Sequence, residues 1–262
     1  MLGKVLRGRR NNVVLATKFG SDMGGGESEA RGSREYIREA VKASLRRLDT
    51  DWIDLYQFHR PDPLTPIEET LGALNELLDE GLVREIGSSN FSADQLREAA
   101  TVAATNGWRP FASLQNKYSL LEREIEHEVL PECERLGVAV LPYFPLASGL
   151  LTGKHLRGQP APAGSRIALR GAPIDDATLD RLEALVVFAE DRRITPTDVA
   201  IGALLAQPAL VSVIAGATSA EQVCSNAAGA RWSPSLEDLA ELDTIFPPGV
   251  LGASVPRQAQ RS

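Results

Sequence analysis

Six short, nearly continuous apolar runs alternate with longer helical stretches along the 262 residues, and this alternation limits the fold more than any other feature. The runs occupy residues 13–17, 53–58, 84–87, 113–115, 138–143 and 211–215. Unbroken apolar character is how strands buried on both faces of a parallel sheet read. Helix punctuation separates them. Ser33 precedes the stretch 34–48, where Ile37, Val41, Ser44, Leu45 and Leu48 recur at helical spacing. Thr65-Pro66-Ile67-Glu68 supplies a cap, a proline at the first helical position and a capping-box glutamate; Glu80-Gly81 supplies the stop. Ser92 with Gln95, and Ser219 with Gln222, form two more capping boxes, and Thr195-Pro196 opens another helix. Strand and helix in strict alternation require parallel strands joined by crossover helices.

An open doubly wound sheet and a closed barrel share that pattern. The barrel is favoured, because no glycine-rich turn follows the first run and polar residues stand at the end of every run. A closed barrel takes about eight strands. Six are counted, and residues 1–10 read as the tail of an amphipathic helix. The expected fold is therefore α/β, a (β/α)8 TIM barrel with about six of its eight strands present and the opening strands absent. One domain is expected over 1–262, with a C-terminal helix and flexible tail in 235–262 packed on the barrel. The stretch 148–173, rich in Gly, Pro and Arg, reads as a long functional or mobile loop.

Composition narrows the function classes. Net charge is -7, and the basic residues are scattered, which argues against a nucleic-acid partner. No run approaches the roughly 20 apolar residues of a membrane span, and the N-terminus has no signal-peptide core. Cys133 and Cys224 are expected to be buried or half-buried thiols, with no disulfide framework and no metal cluster. That usage fits a reducing cytoplasm.

Barrel enzymes carry their chemistry at the C-terminal ends of the strands. Those ends read Thr17-Lys18-Phe19-Gly20, Gln57-Phe58-His59, Ser88-Ser89-Asn90-Phe91, Gln115-Asn116, Tyr143-Phe144-Pro145-Leu146 and Gly216-Ala217-Thr218-Ser219. A lone Lys is usually a solvated surface charge and a lone His usually packs. Lys18, His59, Asn90 and Gln115 together make a ring of donors and acceptors on one face. Period-two alternation sets Gln57 and His59 on one side of their strand and Asp54, Tyr56 and Phe58 on the other, so Tyr56 is a packing residue. The helix start at Ser219 favours an anion, and the segment from Leu146 through Gly149 and Leu151 to Lys154 adds flexible glycines and a cation.

The motifs Thr-Lys-Phe-Gly (17–20), Asp-Leu-Tyr-Gln-Phe-His (54–59), Gly-Ser-Ser-Asn-Phe (87–91), Gln-Asn-Lys-Tyr-Ser-Leu-Leu (115–121), Tyr-Phe-Pro-Leu-Ala-Ser-Gly-Leu-Leu-Thr-Gly-Lys (143–154) and Ile-Ala-Gly-Ala-Thr-Ser (214–219) resemble, in order, those of the aldo-keto reductase family. The resemblance implies a (β/α)8 barrel that binds NADPH and transfers hydride reversibly between it and an aldehyde or ketone. It implies an Asp, Tyr, Lys and His as the catalytic set, the Tyr protonating the carbonyl oxygen. Lys18 and His59 match the Lys and His. Ser89, Asn90 and Gln115 match the groups that hold the nicotinamide carboxamide, and Tyr143 the ring that stacks on it. Leu146, Gly149, Leu151 and Lys154 fall at the pyrophosphate. Gly216, Thr218, Ser219, Gln222 and Asn226 fall at the adenosine end.

The Asp and Tyr have no match in this chain, which carries a second expectation: a non-catalytic nucleotide-binding or interaction protein on the same scaffold. Gly216 and Gln222 stand where many members place Lys or Arg for the 2′-phosphate, so NADH is the alternative cofactor. The expected partners are a small carbonyl substrate and, through unpaired strand edges, another copy of the chain. The substrate itself has no diagnostic signature in residues 19–32, 118–122 or 148–173.

Overall fold

The computed structural model describes residues 2–21, 30–155, 157–160, 166–171 and 173–249. Their first half alternates as the apolar runs require: α1 (Leu2–Leu6), β1 (Ala16–Phe19), α2 (Arg34–Leu48), β2 (Ile53–Phe58), α3 (Ile67–Asp79), β3 (Val83–Ser89), α4 (Ala93–Asn106), β4 (Ser113–Gln115), α5 (Val129–Leu136) and β5 (Ala139–Val140). The strands form a parallel sheet in the order β1-β2-β3-β4-β5. By contacts the chain divides into two units, one of residues up to 115 with 132–139, the other of 116–131 with the chain from 140 onward.

Local chemistry sets the helix boundaries. Ser33 Oγ accepts the Tyr36 N–H at the start of α2, and Asp49 closes that helix in the left-handed region. Ser92 and Gln95 form the full reciprocal box of α4. Ile37 and Val41 of α2, and Leu71, Leu74 and Leu77 of α3, are fully buried. Each such leucine contributes about 1.5–3 kcal/mol. Thr65 does not cap α3, contrary to its spacing. Its hydroxyl donates to Asp62 Oδ2 at 2.7 Å, and α3 starts beyond Pro66.

The first strand is displaced from 13–17 to Ala16–Phe19. Val13 and Val14 are exposed, because a strand exists only where a neighbour supplies partners. Pairing starts at Leu15, whose carbonyl accepts from Asp54 N and Leu55 N. The Leu15 N–H donates to the Asp54 carboxylate at 2.9 Å. Arg10 reaches the same carboxylate at 2.7 Å and Arg84 at 2.9 Å, and both guanidinium groups lie over the Trp52 ring, 4.4 and 4.9 Å from its centre.

Gly87 lets the sheet close at its middle. A Cβ there would sit 3.1 Å from the Ser113 carbonyl oxygen and 3.2 Å from Gln57 Cγ, and would strike Ser113 Oγ. Without it, Gln57 Nε2 donates to Ser113 Oγ across β3.

In the second unit follow α6 (Arg166–Arg170), α7 (Asp176–Asp191), α8 (Pro196–Leu205), α9 (Ala220–Gly229) and α10 (Leu236–Ile245). Leu150, Leu151, Leu182, Leu185, Phe188, Val199 and Phe246 form its core. Arg192 covers the Phe188 ring at 3.5 Å and pairs with Asp238 and Glu241, tying α7 to α10. The expected sixth strand, 211–215, is not continuous. Among the described residues it survives as two isolated parallel bridges, Val140 with Leu210 and Tyr143 with Ile214. The offset between partners is 70 residues at the first bridge and 71 at the second. Between them lies Pro142, which has no N–H to donate, so the ladder breaks there and one extra residue is taken up opposite. Of the expected C-terminal tail, residues 250–262 lie outside the described ones, as do residues 156, 161–165 and 172 of the expected loop.

Candidate functional site

The C-terminal ends of β1 to β4 bring Lys18, His59, Ser89, Asn90 and Gln115 together in the first unit. Lys18 stands in register with Gln57, and the His59 N–H donates to the Phe19 carbonyl at 2.9 Å. Asn90 takes a left-handed backbone, φ 61°, which asparagine tolerates better than most residues. Its Nδ2 donates to the His59 carbonyl at 2.9 Å and to Ser89 Oγ at 3.1 Å. Ser89 Oγ in turn donates to the Gln115 carbonyl at 2.6 Å. These bonds fasten the ends of β2, β3 and β4 to one another. Gln115 is buried, and its Oε1 has no hydrogen-bond partner among the described residues. An unmade bond of that kind costs about 1–3 kcal/mol, and a ligand N–H would satisfy it.

The electrostatics follow from burial. Lys18 titrates below the ordinary lysine value because it is desolvated. His59 titrates below 6.5, first through burial, then through the charges of Lys18 and Arg60. It is therefore neutral at pH 7 and offers an imidazole N–H. Tyr56 is fully buried and its phenol is pushed up by desolvation, as its parity requires of a packing residue. Two bonds fasten residues nearby: Asp62 Oδ2 accepts from Gly32 N at 2.7 Å, and Tyr36 OH donates to Ser21 O.

Lys18→Met is expected to move the His59 titration upward toward 6.5 and to raise Tm by about 2–4 °C. Both groups have folded values below their unfolded ones. They hold fewer protons when folded, so stability falls as pH drops through the folded value of His59, and the variant lessens that fall. NMR titration and melts between pH 5 and 8 check it. A His59 midpoint unchanged in the variant would contradict the coupling.

The other expected site residues lie in the second unit. Tyr143 is half-buried, 5.3 Å ring to ring from Phe144. Leu146, Gly149 and Leu151 belong to or flank a 3-10 segment, Ala147–Thr152, and Lys154 follows exposed. Phe144, Ala147, Ser148 and Gly149 all have positive φ, a strained run of the kind found at ligand sites. Gly216, Thr218 and Ser219 are exposed ahead of α9. Ser219 Oγ accepts the Gln222 N–H, but Gln222 Oε1 turns to Thr218 N at 2.7 Å, so the expected capping box is half formed. Asn226 lies half-buried on α9. Cys224, on the same helix, is exposed, which corrects its expected burial; Cys133 is buried. α9 buries only Gly229, so its thiol has nothing to pack against.

Sequence reasoning missed Gly87 and Ser113 as supports of the site. A glycine inside a β-rich run was the available signal. Elsewhere the described residues offer little chemistry. A hollow of about 170 Å³ beside α4, lined by Leu96, Trp108, Phe111 and Val138 among others, has no titratable group. No cluster of three His, Cys, Asp or Glu could hold a metal among the described residues. No helix among them is long and apolar enough to cross a membrane.

Comparison with known proteins places these residues in a wider set. The model of the Aldo/keto reductase family matches residues 1–246. The chain is 39% identical over 243 residues to the uncharacterized oxidoreductase YrpG of Bacillus subtilis, covering 91% of this chain and 73% of that protein. It is 33% identical over 256 residues to a probable aldo-keto reductase of Glycine max, covering 95% and 71%. It is 36% identical over 237 residues to a probable voltage-gated potassium channel subunit beta of Oryza sativa, covering 86% and 71%.

Proposed function

Since the chain belongs to the aldo/keto reductase family of oxidoreductases, we propose that it binds NADPH and directs hydride transfer to a small aldehyde or ketone. The five-stranded parallel sheet is consistent with part of that family's barrel. The observation that carries the reading is the joined set of Lys18, His59, Asn90 and Gln115 at neighbouring strand ends, with Gln115 Oε1 buried and unpartnered. A nicotinamide carboxamide has the N–H groups that this oxygen lacks. When bound, the nucleotide supplies the hydride. Ser89, Asn90 and Gln115 would hold its carboxamide, and Tyr143 would stack on the ring. Leu146, Gly149, Leu151 and Lys154 would meet the diphosphate; Gly216, Thr218, Ser219, Gln222 and Asn226 the adenosine end.

His59, neutral at pH 7, would donate an N–H to the carbonyl oxygen and orient it. The Lys18 ammonium would stabilise negative charge building on that oxygen. The segment from Gly216 to Asn226 contains no Lys or Arg, so NADH should compete with NADPH on nearly equal terms.

A second reading has its own support. No residue of the 262 matches the family's Asp and Tyr, and one relative carries the name of a channel subunit. On that reading the chain binds nucleotide without turnover. Fluorescence titration with NADPH and NADH tests what the two readings share: micromolar binding is expected, within about tenfold for the two. Failure to bind either nucleotide would overturn both, and aldehyde-dependent NADPH oxidation separates them. Association of chains through the edge of β1, which among the described residues pairs only with β2, is the further proposed partner interaction.

A further inference from the structure

Lys18, His59 and Asn90 share a neighbour type. Each is followed or preceded directly by a phenylalanine: Phe19, Phe58 and Phe91. The three rings meet in a row. Phe19 and Phe58 stack 4.9 Å apart and 1° from parallel. Phe58 meets Phe91 edge-on at 5.9 Å, and Phe91 meets Phe111 at 5.6 Å. All four are nearly fully buried. Phe58 is enclosed on a further side by the chain itself, since a Cβ on Gly20 would lie 2.9 Å from its ring.

Successive side chains of a strand point to opposite faces. A ring held behind the strand therefore sets the direction of its neighbour in front. On the front side His59 N donates to Phe19 O and Asn90 Nδ2 to His59 O, both at 2.9 Å. We infer that Phe58, gripped between Phe19 and Phe91, is a positioning residue that holds His59 beside Lys18 and Asn90. The inference rests on His59 being part of the proposed site, but it concerns the protein without nucleotide.

The test is the titration of His59 in the full chain by NMR, with no nucleotide added. The charged groups acting on His59 are Lys18 from β1 and Arg60 beside it. Phe58→Leu removes the stacked ring, frees His59 to swing toward solvent and should raise its midpoint by about half a pH unit. Leu77→Ala, in the last turn of α3, serves as a core variant that loosens the same unit elsewhere. It should leave the midpoint in place. An unmoved midpoint in Phe58→Leu, or an equal movement in Leu77→Ala, overturns the inference. If Phe58→Leu does not fold, Phe91→Leu at the end of the row should shift the midpoint the same way by less, and no shift there overturns it too. Failure to bind NADPH would sink the proposed function and leave this result standing.

Discussion

Aldehyde-dependent oxidation of NADPH by the 262-residue chain is expected to run about 10²- to 10⁴-fold slower than by a family member that carries the Asp and Tyr. That deficit corresponds to roughly 3–5 kcal/mol of barrier. The reason is the proton. A carbonyl oxygen that receives hydride must also be protonated, and the two ionisable groups at the strand ends are poorly suited. His59 is neutral at pH 7, because burial and Lys18 hold its titration below the ordinary value. Lys18 is a weak acid even with its titration lowered by desolvation. At pH 7 solvent must then supply the proton, and the rate should climb as pH falls toward the range where His59 is itself protonated. Absorbance assays with generic aromatic aldehydes from pH 5 to 8 read both the rate and its slope. A rate equal to that of such a member, with a flat profile, would mean that another residue of the chain donates the proton.

Asp54→Ala is expected to cost about 3–5 kcal/mol of stability, the range for breaking a buried ion pair from one side. Its carboxylate is held by the Leu15 N–H, Arg10 and Arg84. Arg84 is 62% exposed and can return to water, whereas Arg10 is 14% exposed and would stay buried without its partner. The Leu15 amide would also lose its acceptor just where β1 begins to pair with β2. Asp54→Asn should cost less, since the amide oxygen still accepts from Leu15. Urea titrations read as a fall in midpoint at constant slope check the order wild type, Asn, Ala. Burial alone would raise the Asp54 carboxyl, but Leu15, Arg10 and Arg84 outweigh it and hold it below 3.8. Its share of stability is therefore present above about pH 3.8 and is lost as pH falls through the folded value. Arg10 belongs to the short segment ahead of β1, so the variant should also loosen that segment.

What the sequence made legible was whatever depends on near neighbours. Ser33, Ser92, Thr195 and Ser235 cap the helices their spacing announces. β2 and β4 fall where the apolar runs place them. Most of the misses depend on distant partners. Val13 and Val14 are as apolar as a strand needs, yet β2 offers pairing only from Leu15 onward. Cys224 stands in a helix whose neighbours leave it exposed. For the candidate site, the types and places of Lys18, His59, Asn90 and Gln115 were readable from the strand ends. The left-handed turn at Asn90, the bond it makes to His59 and the bare Gln115 oxygen were not, because each arises from three strands meeting.

The step from an offset of 70 to one of 71 around Pro142 has a consequence for the history of this segment. A proline without an extra residue opposite it would leave two consecutive mismatches, and an extra residue without the proline would leave a donor with no acceptor. Neither change is a neutral intermediate for the other. The two are thus expected to change together. In a lineage that keeps one, a gain or loss of one residue between Leu210 and Ile214 should occur only together with a change at position 142, and lengths there should vary in step with that imino acid.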